Sequence, residues 1–320
     1  MYLIGTDEAG YGPNLGPLVV SATLWRVPDE LASADLYELL ADYVCAGVVK
    51  ADDARLPIAD SKRLYSSGES WAQLEIGLLT ALCTLQQPYR TWQELWQTLS
   101  PGAQAELTAE PWHQGFELAT PRDVDADQIE ERAAGFAAGL TFKKVELCAI
   151  ASRPVFASEF NRLCAEHGNK SSVLSHVTLA LVRDLITQHK ITEPLLVSCD
   201  KHGGRNFYAA LLQHHFPDDL VVVQTEGRER SVYRAGPAER VREFRFIAKG
   251  EGFLPAALAS MACKYLREMA MHAFNLYWQQ RVPSLKPTAG YPEDAKRFRR
   301  DIAAAQAKHG IADDVLWRKK

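Results

Sequence analysis

Acidic residues stand at three places where the chain leaves a predicted strand or enters a predicted helix. Asp7 and Glu8 follow the short apolar run at residues 2–6, Asp200 ends a later apolar run, and Glu251 opens a long helical pattern. Carboxylate oxygens are the hard ligands that Mg²⁺ and Mn²⁺ prefer, and two such ions held together suit phosphoryl-transfer chemistry. These four acids are therefore candidates for a two-metal site.

Each acid also has an ordinary structural explanation. Paired acids at a strand end are commonly solvated, Asp200 could cap a following glycine turn, and Glu251 could be a first-turn glutamate that the helix dipole favours. Adjacent side chains on a regular strand point to opposite faces, so Asp7 and Glu8 share a site only if the chain turns there. The glycine- and proline-rich stretch at residues 10–17 predicts such a turn.

Strands and helices alternate after an opening hairpin, which predicts an α/β protein with a mixed sheet. The predicted strands are residues 2–6, 18–25, 144–155, 195–200, 220–225 and 243–249. The predicted helices are residues 29–43, 70–85, 170–189, 207–215, 253–280 and 293–308. Segment 88–140 contains Trp92, Trp96 and Trp112, and it predicts a partly helical insertion that folds against the rest of the chain.

Composition is that of an ordinary globular protein. Of 320 residues, 47% are hydrophobic and 24% are charged, which excludes a disordered or collagen-like chain. No run of apolar residues is long enough to span a membrane. The six cysteines form no CxxC pair, so we expect neither a disulfide framework nor a cysteine zinc site, and a reducing cytoplasm fits best. The net charge of −4 lacks the basic footprint typical of nucleic-acid binding.

Seven short segments follow one another in a fixed order between residues 5 and 292. They are GTDEAGYGPNLGPLVV at 5–20, DSKRL at 60–64, the helix at 169–182 that contains His176, the strand-end Asp200, AKGE at 248–251, ASMACKYLREM at 259–269 and AGYP at 289–292. In this order they resemble the motifs of the ribonuclease HII family. One such motif is weakly specific, whereas seven in the correct order are strongly specific.

The resemblance implies a ribonuclease H-like α/β fold, a mixed sheet flanked by helices, with a partly helical insertion and C-terminal helices. It implies an endoribonuclease that uses two Mg²⁺ or Mn²⁺ ions to hydrolyse the RNA strand of an RNA–DNA hybrid, or a ribonucleotide in duplex DNA. The implied catalytic and metal-binding residues are Asp7, Glu8, Asp200 and Glu251. The implied substrate-binding residues are Gly10, Tyr11, Gly12, Lys62 and Tyr291.

The sequence departs from the family at three positions. Tyr11 stands where the family has an arginine, Glu251 stands where it has an aspartate, and segment 88–140 is additional. The backbone amides of Gly10 and Gly12 can still contact a ribose 2′-hydroxyl, because glycine permits close approach. A tyrosine supplies no charge, so we expect ribonucleotide preference to persist with weaker cleavage at single ribonucleotides than in longer hybrids.

We expect one ribonuclease H-like domain over residues 1–320, with 88–140 inserted and 252–320 forming a helical C-terminal part. We expect a cytoplasmic monomer that contacts no membrane, and the sequence indicates no protein partner. Two other functions stay open: a non-catalytic nucleic-acid-binding protein, and a nuclease of the same fold that cuts DNA or structured substrates.

Two further groups of residues have no assigned role at this stage. The arginines between residues 228 and 245 either form a phosphate-binding stripe or lie on a solvated sheet edge. His202 and the pair His214 and His215 lack the spacing of metal ligands, so we expect them to be structural.

Overall fold

The computed structural model describes residues 1–31, 34–248, 250 and 252–319. The strands in this part of the chain are β1 (Tyr2–Ala9), β2 (Leu18–Arg26), β3 (Val44–Cys45), β4 (Leu56–Pro57), β5 (Glu146–Val155), β6 (Leu195–Asp200), β7 (Val221–Thr225), β8 (Arg230–Ala235) and β9 (Arg242–Ile247). All except β3 and β4 form one sheet, in the order β5-β2-β1-β6-β9-β8-β7.

The sheet is mixed. β1 pairs antiparallel with β2 and parallel with β6, and β6 pairs parallel with β9. β2 pairs antiparallel with β5, while β7, β8 and β9 form antiparallel neighbours. This topology confirms the predicted hairpin and the predicted α/β class with a mixed sheet. It also places the carboxyl ends of the parallel strands β1 and β6 at the same edge, where α/β sheets hold ligands.

Helices cover both faces of the sheet. They are α1 (Leu36–Leu39), α2 (Ser61–Leu64), α3 (Ala72–Thr84), α4 (Trp92–Leu99), α5 (Gln104–Ala109), α6 (Ala126–Phe142), α7 (Ala157–His167), α8 (Lys170–Gln188), α9 (Ala209–His215), α10 (Leu254–Gln279), α11 (Pro292–Lys308) and α12 (Asp313–Leu316). α10 packs on β1 and β2. α8 packs on the opposite face. The adjacent residues Leu3 and Ile4 of β1 show this, since Leu3 belongs to the core beneath α10 and Ile4 to the core beneath α8.

The first turn of α10 lies directly on β1. A Cβ built on Gly5 would lie 2.1 Å from the backbone nitrogen of Ala256, so no other residue fits at this position. The hydroxyl of Thr23 on β2 donates to the carbonyl of Pro255 at 2.7 Å and fixes the same turn. The sequence that leads into α10 is therefore held beside the end of β1.

The insertion is packed into the molecule. Trp92, Trp96 and Trp112 are all buried, as predicted. Trp112 lies edge-on to Phe274 of α10, with ring centroids 4.9 Å apart. The side chain of Glu75 on α3 accepts from the backbone N–H of Arg122 at 2.7 Å, which adds a polar contact between the insertion and the main body.

One predicted helix differs from the structure, and one predicted strand lies in an exposed position. The described part of segment 29–43 contains only a 3₁₀ turn and the four-residue α1, which begins after its cap Asp35 and ends before Leu40. The apolar β7 forms as predicted, but it is the sheet edge, and Val222 and Val223 are each 47% exposed. Among the described residues, none of the helices is long and apolar enough to cross a membrane.

Candidate active site

Asp7 and Glu8 lie within β1 and not beyond its end. They pair with Ser21 and Val20 of β2, so the strand predicted over residues 2–6 ends too early, whereas the turn predicted at residues 10–17 is present between β1 and β2. The strand continues because both residues have hydrogen-bonding partners in β2, and the turn begins only after Ala9. Although the two acids are neighbours in the strand, the charges of Asp7 and Asp200 both raise the pKa of Glu8 after the larger effect of burial, so the three acids lie close enough to interact at the end of β1.

The structure places Asp7 and Asp200 around the same small cavity at the ends of β1 and β6. Asp60, the residue that caps α2, lines this cavity as well, together with Ser260 of α10. Gly250 completes the wall, and its backbone N–H donates to Oδ1 of Asp200 at 2.9 Å. We call Asp7, Glu8, Asp60 and Asp200 the carboxylate cluster. Glu251, the fourth predicted metal ligand, lies outside the described residues.

Ser260 connects three elements at the cavity. Its side chain is hydrogen-bonded to the Asp7 carboxylate. Its oxygen also accepts from the backbone N–H of Ser61 at 3.1 Å and lies 3.0 Å from the Ser61 hydroxyl. One buried serine thus holds the N-terminus of α2 next to the strand acid.

Burial and mutual repulsion favour the protonated forms of these acids. Burial raises the pKa of Asp7 to about 7, and the negative charges of Asp200 and Asp60 act in the same direction. Burial raises the pKa of Glu8 well above its usual value, with further contributions from Asp7 and Asp200. Buried carboxylates held this close to one another thus favour protonation unless positive charge is supplied.

Lys62 provides positive charge near Glu8. Its ammonium group lowers the pKa of Glu8 and so opposes the effect of burial. Tyr11 is also close enough to Glu8 to interact with it: burial raises the pKa of the Tyr11 phenol, and the charge of Glu8 acts in the same direction. The phenol is hydrogen-bonded to Ser171 at the start of α8.

Two buried arginines donate hydrogen bonds to backbone carbonyls of the loop of residues 10–17. Arg318 donates from Nη2 to the carbonyl of Gly10 at 2.6 Å and also donates to the carbonyl of Pro13. Arg267 of α10 donates from Nη2 to the carbonyl of Ala289 at 2.9 Å. A Cβ on Gly10, whose φ is +87°, would lie 2.6 Å from Nε of Arg267. Only glycine combines this backbone conformation with so close a neighbour.

Tyr291 lies beside the glycine loop, at the N-terminal end of α11. Its side chain is 58% exposed. A Cβ on Gly12 would lie 3.8 Å from Cε1 of the Tyr291 ring, and the backbone N–H of Asn14 donates to the carbonyl of Gly290 at 2.8 Å. The structure therefore brings Gly10, Gly12 and Tyr291 to one surface.

The arginines of the basic segment are partly neutralised. Arg230, Arg234 and Arg245 line a shallow depression on the sheet face formed by β8 and β9. Glu243 accepts from Arg234 at 2.9 Å and forms an ion pair with Arg245 at 2.6 Å. These contacts reduce the charge available for phosphate.

Sequence reasoning missed several residues of this region. Asp60 and Ser260 lie inside two of the segments that resemble family motifs, and their place in these motifs could have identified them as site residues. Arg318 lies far along the chain and had no sequence signal. His214 and His215 were expected to be structural, yet they meet His176 in the fold.

No protein-family model and no curated protein sequence matches this chain. Among solved structures, the fold is similar to ribonuclease H2 from Pyrococcus horikoshii OT3, at 14% identity and a TM-score of 0.48, over 99% of this chain and 92% of that one. It is also similar to RNase HII in the PCNA:RNase HII complex from Archaeoglobus fulgidus, at 12% identity and a TM-score of 0.41, over 100% of this chain and 95% of that one. A third similar structure is Bst-RNase HIII in complex with Mn²⁺, at 12% identity and a TM-score of 0.42, over 99% of this chain and 66% of that one.

Proposed function

We propose that this protein is a divalent-metal-dependent ribonuclease H that hydrolyses the RNA strand of RNA–DNA hybrids or ribonucleotides in duplex DNA. The observation that carries the proposal is the convergence of Asp7 and Asp200, from neighbouring parallel strands, on one cavity that Asp60 also lines. The ordered motif resemblance supports it independently. In this proposal residues 1–320 form one domain, with 88–140 inserted and 252–320 forming its helical C-terminal part, in a cytoplasmic monomer.

The residues present fit a divalent cation. Asp7, Glu8 and Asp200 would hold Mg²⁺ or Mn²⁺, with Glu251 as the proposed fourth ligand. Their oxygens are hard donors. The pKa values of Asp7 and Glu8 are raised first by burial and then by neighbouring negative charge, which a cation would offset. When bound, a pair of ions supplies an activated water and stabilises the leaving oxygen.

The surrounding residues orient this cluster and its substrate. Ser260 fixes the Asp7 carboxylate, and the N–H of Gly250 fixes that of Asp200. Lys62, next to Glu8, would contact a substrate phosphate. The exposed ring of Tyr291 would stack on a sugar or base. Aromatic side chains in single-strand binding sites commonly stack in this way.

Discrimination between RNA and DNA would come from groups that contact the 2′-hydroxyl, because metal-assisted hydrolysis alone does not distinguish them. The candidates are the backbone amides of Gly10 and Gly12 and the ring of Tyr291. Tyr11 replaces the family arginine, so one charge-assisted contact, worth about 1.5–3 kcal/mol, is absent from the turn itself. A cation lies close to the turn: Nζ of Lys170 is 4.9 Å from the centre of the Tyr11 ring.

A second candidate keeps the metal site and changes the substrate. The replacement of arginine by Tyr11 favours a nuclease of this fold that cuts DNA or structured substrates. A non-catalytic binding protein is the third alternative, and it requires the carboxylate cluster to serve only as charge.

A cleavage assay with four substrates separates these functions. Purified protein with Mg²⁺ or Mn²⁺ is given an RNA–DNA hybrid, a duplex with one ribonucleotide, plain duplex DNA and single strands. We expect fastest cleavage of the hybrid, slower cleavage at the single ribonucleotide and no cleavage of plain DNA. Equal cleavage of DNA and hybrid would support the second candidate, and no cleavage of any substrate would support the third.

A further inference from the structure

Three histidines from two helices meet on the side of the sheet opposite α10. His176 lies on α8, and His214 and His215 end α9. One ligand atom from each of the three lies within 4.8 Å of the others. We call these three residues the histidine cluster. α8 and α9 pack against each other, so the two helices hold the rings in place.

A fourth histidine extends the cluster. His167, the last residue of α7, stacks on His176 with ring centroids 4.1 Å apart and an angle of 19° between the planes. Stacking of this kind restricts the rotation of the His176 ring. The His176 donor atom is therefore preorganised before any ligand arrives.

The contacts and burial of the cluster favour neutral rings. Nδ1 of His176 and Nε2 of His215 lie 3.0 Å apart, so one of these two nitrogens must be unprotonated and accept a hydrogen bond. Burial lowers the pKa of His215 to about 4, and His176 and His214 act in the same direction. Unprotonated imidazole nitrogens are the form in which histidine binds metals.

We propose that His176, His214 and His215 bind one divalent transition-metal ion, with Zn²⁺ as the first candidate. Three imidazole nitrogens without a carboxylate favour Zn²⁺, Ni²⁺ or Cu²⁺ over Mg²⁺ and Mn²⁺, which prefer oxygen ligands. At Zn–N distances of about 2.0–2.1 Å, neighbouring donors in a tetrahedral site are roughly 3.3 Å apart. The observed separations need only small side-chain movements to reach this value.

Exposure and local charge define the character of the site. His214 is exposed, His176 is partly buried and His215 is buried, so the ion is reached from one side and keeps a position for water. The charges of Arg183 and Arg205 lower the pKa values of His215 and His176, respectively, and they also oppose a cation. The site therefore differs from the carboxylate cluster in both ligand type and surrounding charge.

Nδ1 of His215 is buried without a hydrogen-bonding partner in the described part of the chain. Buried polar atoms are normally paired, and a histidine retained for packing alone would not account for this one. An ion in the site would join α8 to α9. α8 also carries Ser171, the partner of Tyr11, so the ion would stabilise the helix that supports the glycine loop.

Metal binding to the full-length, chelator-treated protein tests the proposal. Co²⁺ is added as a spectroscopic probe, and Zn²⁺ affinity is measured by competition with a chromogenic chelator. We expect visible absorption bands of tetrahedral Co²⁺, loss of these bands on addition of Zn²⁺, and one Zn²⁺ bound per chain at this site. Because His214 is exposed, His214→Ala keeps the fold and should weaken Zn²⁺ binding by at least about tenfold.

Two controls place the ion. His189→Ala changes an exposed histidine just after α8 and should bind Zn²⁺ like the wild type. Asp7→Asn changes the carboxylate cluster and should leave the Co²⁺ spectrum unchanged. Wild-type affinity in both His214→Ala and His176→Gln, or loss of the Co²⁺ bands in Asp7→Asn, would overturn the proposal. The test is independent of nuclease activity.

Discussion

The carboxylate cluster and the histidine cluster are both groups of titratable side chains gathered by the fold, and they differ in how they are built. The acids lie at the ends of neighbouring strands and at one helix cap, inside the sheet architecture. The histidines project from the packed surfaces of helices α8 and α9. Burial raises the pKa of Asp7 and lowers that of His215.

The comparison shows that burial favours the neutral form of each group, with opposite consequences for metal binding. A neutral carboxyl must lose a proton before it binds a cation, whereas a neutral imidazole is ready to bind. Binding at the carboxylate cluster should therefore depend more steeply on pH near neutrality. The same physical effect thus separates an acid site suited to Mg²⁺ or Mn²⁺ from a histidine site suited to Zn²⁺.

The largest expected effect is the loss of activity in Asp7→Asn. The amide cannot supply the carboxylate charge, and metal-ion stabilisation worth several kcal/mol corresponds to about 10³-fold or more in rate. Cleavage of an RNA–DNA hybrid with Mg²⁺ measures the change. The control is His214→Ala, which leaves the carboxylate cluster intact and should retain the wild-type rate. Comparable rates in Asp7→Asn and the wild type would remove Asp7 from the reaction.

Metal binding should also stabilise the fold, and more strongly at pH 8 than at pH 5. The pKa of Asp7 is about 7 in the folded protein against an ordinary value of 3.8. Asp7 loses its proton at a lower pH in the unfolded chain than in the folded protein. The metal-free fold therefore loses stability as pH rises from about 4 to about 7. At pH 8 the acid is ionised, and Mn²⁺ at a hundred times its Kd should add about 2.7 kcal/mol.

Chemical denaturation with and without Mn²⁺ at the two pH values measures this difference. In Asp7→Asn both the pH dependence and the Mn²⁺ effect should be reduced. Equal Mn²⁺ stabilisation at pH 5 and pH 8 would contradict the assignment of the raised pKa to the metal-binding acid.

A smaller effect is expected for Tyr291→Ala. Stacking of an aromatic ring on a base is worth about 1–3 kcal/mol, so the KM for both hybrid and single-ribonucleotide substrates should rise about tenfold. The exposed ring contributes little to the core, so the midpoint of thermal unfolding should stay unchanged. The matched variant Tyr291→Phe should keep most of the affinity. An unchanged KM in Tyr291→Ala would exclude the tyrosine from substrate binding.

An effect of similar size is expected for Tyr11→Arg. The new charge should raise the rate on a single-ribonucleotide duplex relative to the hybrid by about tenfold, the value of one charge-assisted contact. Tyr11→Phe keeps the ring, loses the hydrogen bond to Ser171 and serves as the control. An unchanged ratio in Tyr11→Arg would show that the arginine of the family acts only in combination with other groups.

The sequence predicted the elements better than it predicted their contacts. The strand before Asp200, the long helix α10 and the packed insertion follow from hydrophobic patterning. The end of β1 was placed too early, at residue 6 and not at Ala9, because the sequence does not show that Asp7 and Glu8 pair with β2.

Side-chain partners from distant segments were the other gap. Arg318 contacts the carbonyl of Gly10 across 308 positions in the chain. His176 meets His215 across 39 positions. Local sequence patterns cannot reveal either contact, since both depend on how segments far apart in the chain pack together.

The measurement that tests the central claim most directly is anomalous diffraction from crystals of the full-length protein grown at pH 8 with Mn²⁺. We predict manganese peaks in contact with the carboxylates of Asp7 and Asp200, and their loss in Asp7→Asn. A wild-type crystal with no manganese at these carboxylates, from protein that cleaves an RNA–DNA hybrid with Mn²⁺, would contradict the assignment of the carboxylate cluster as the hydrolytic centre.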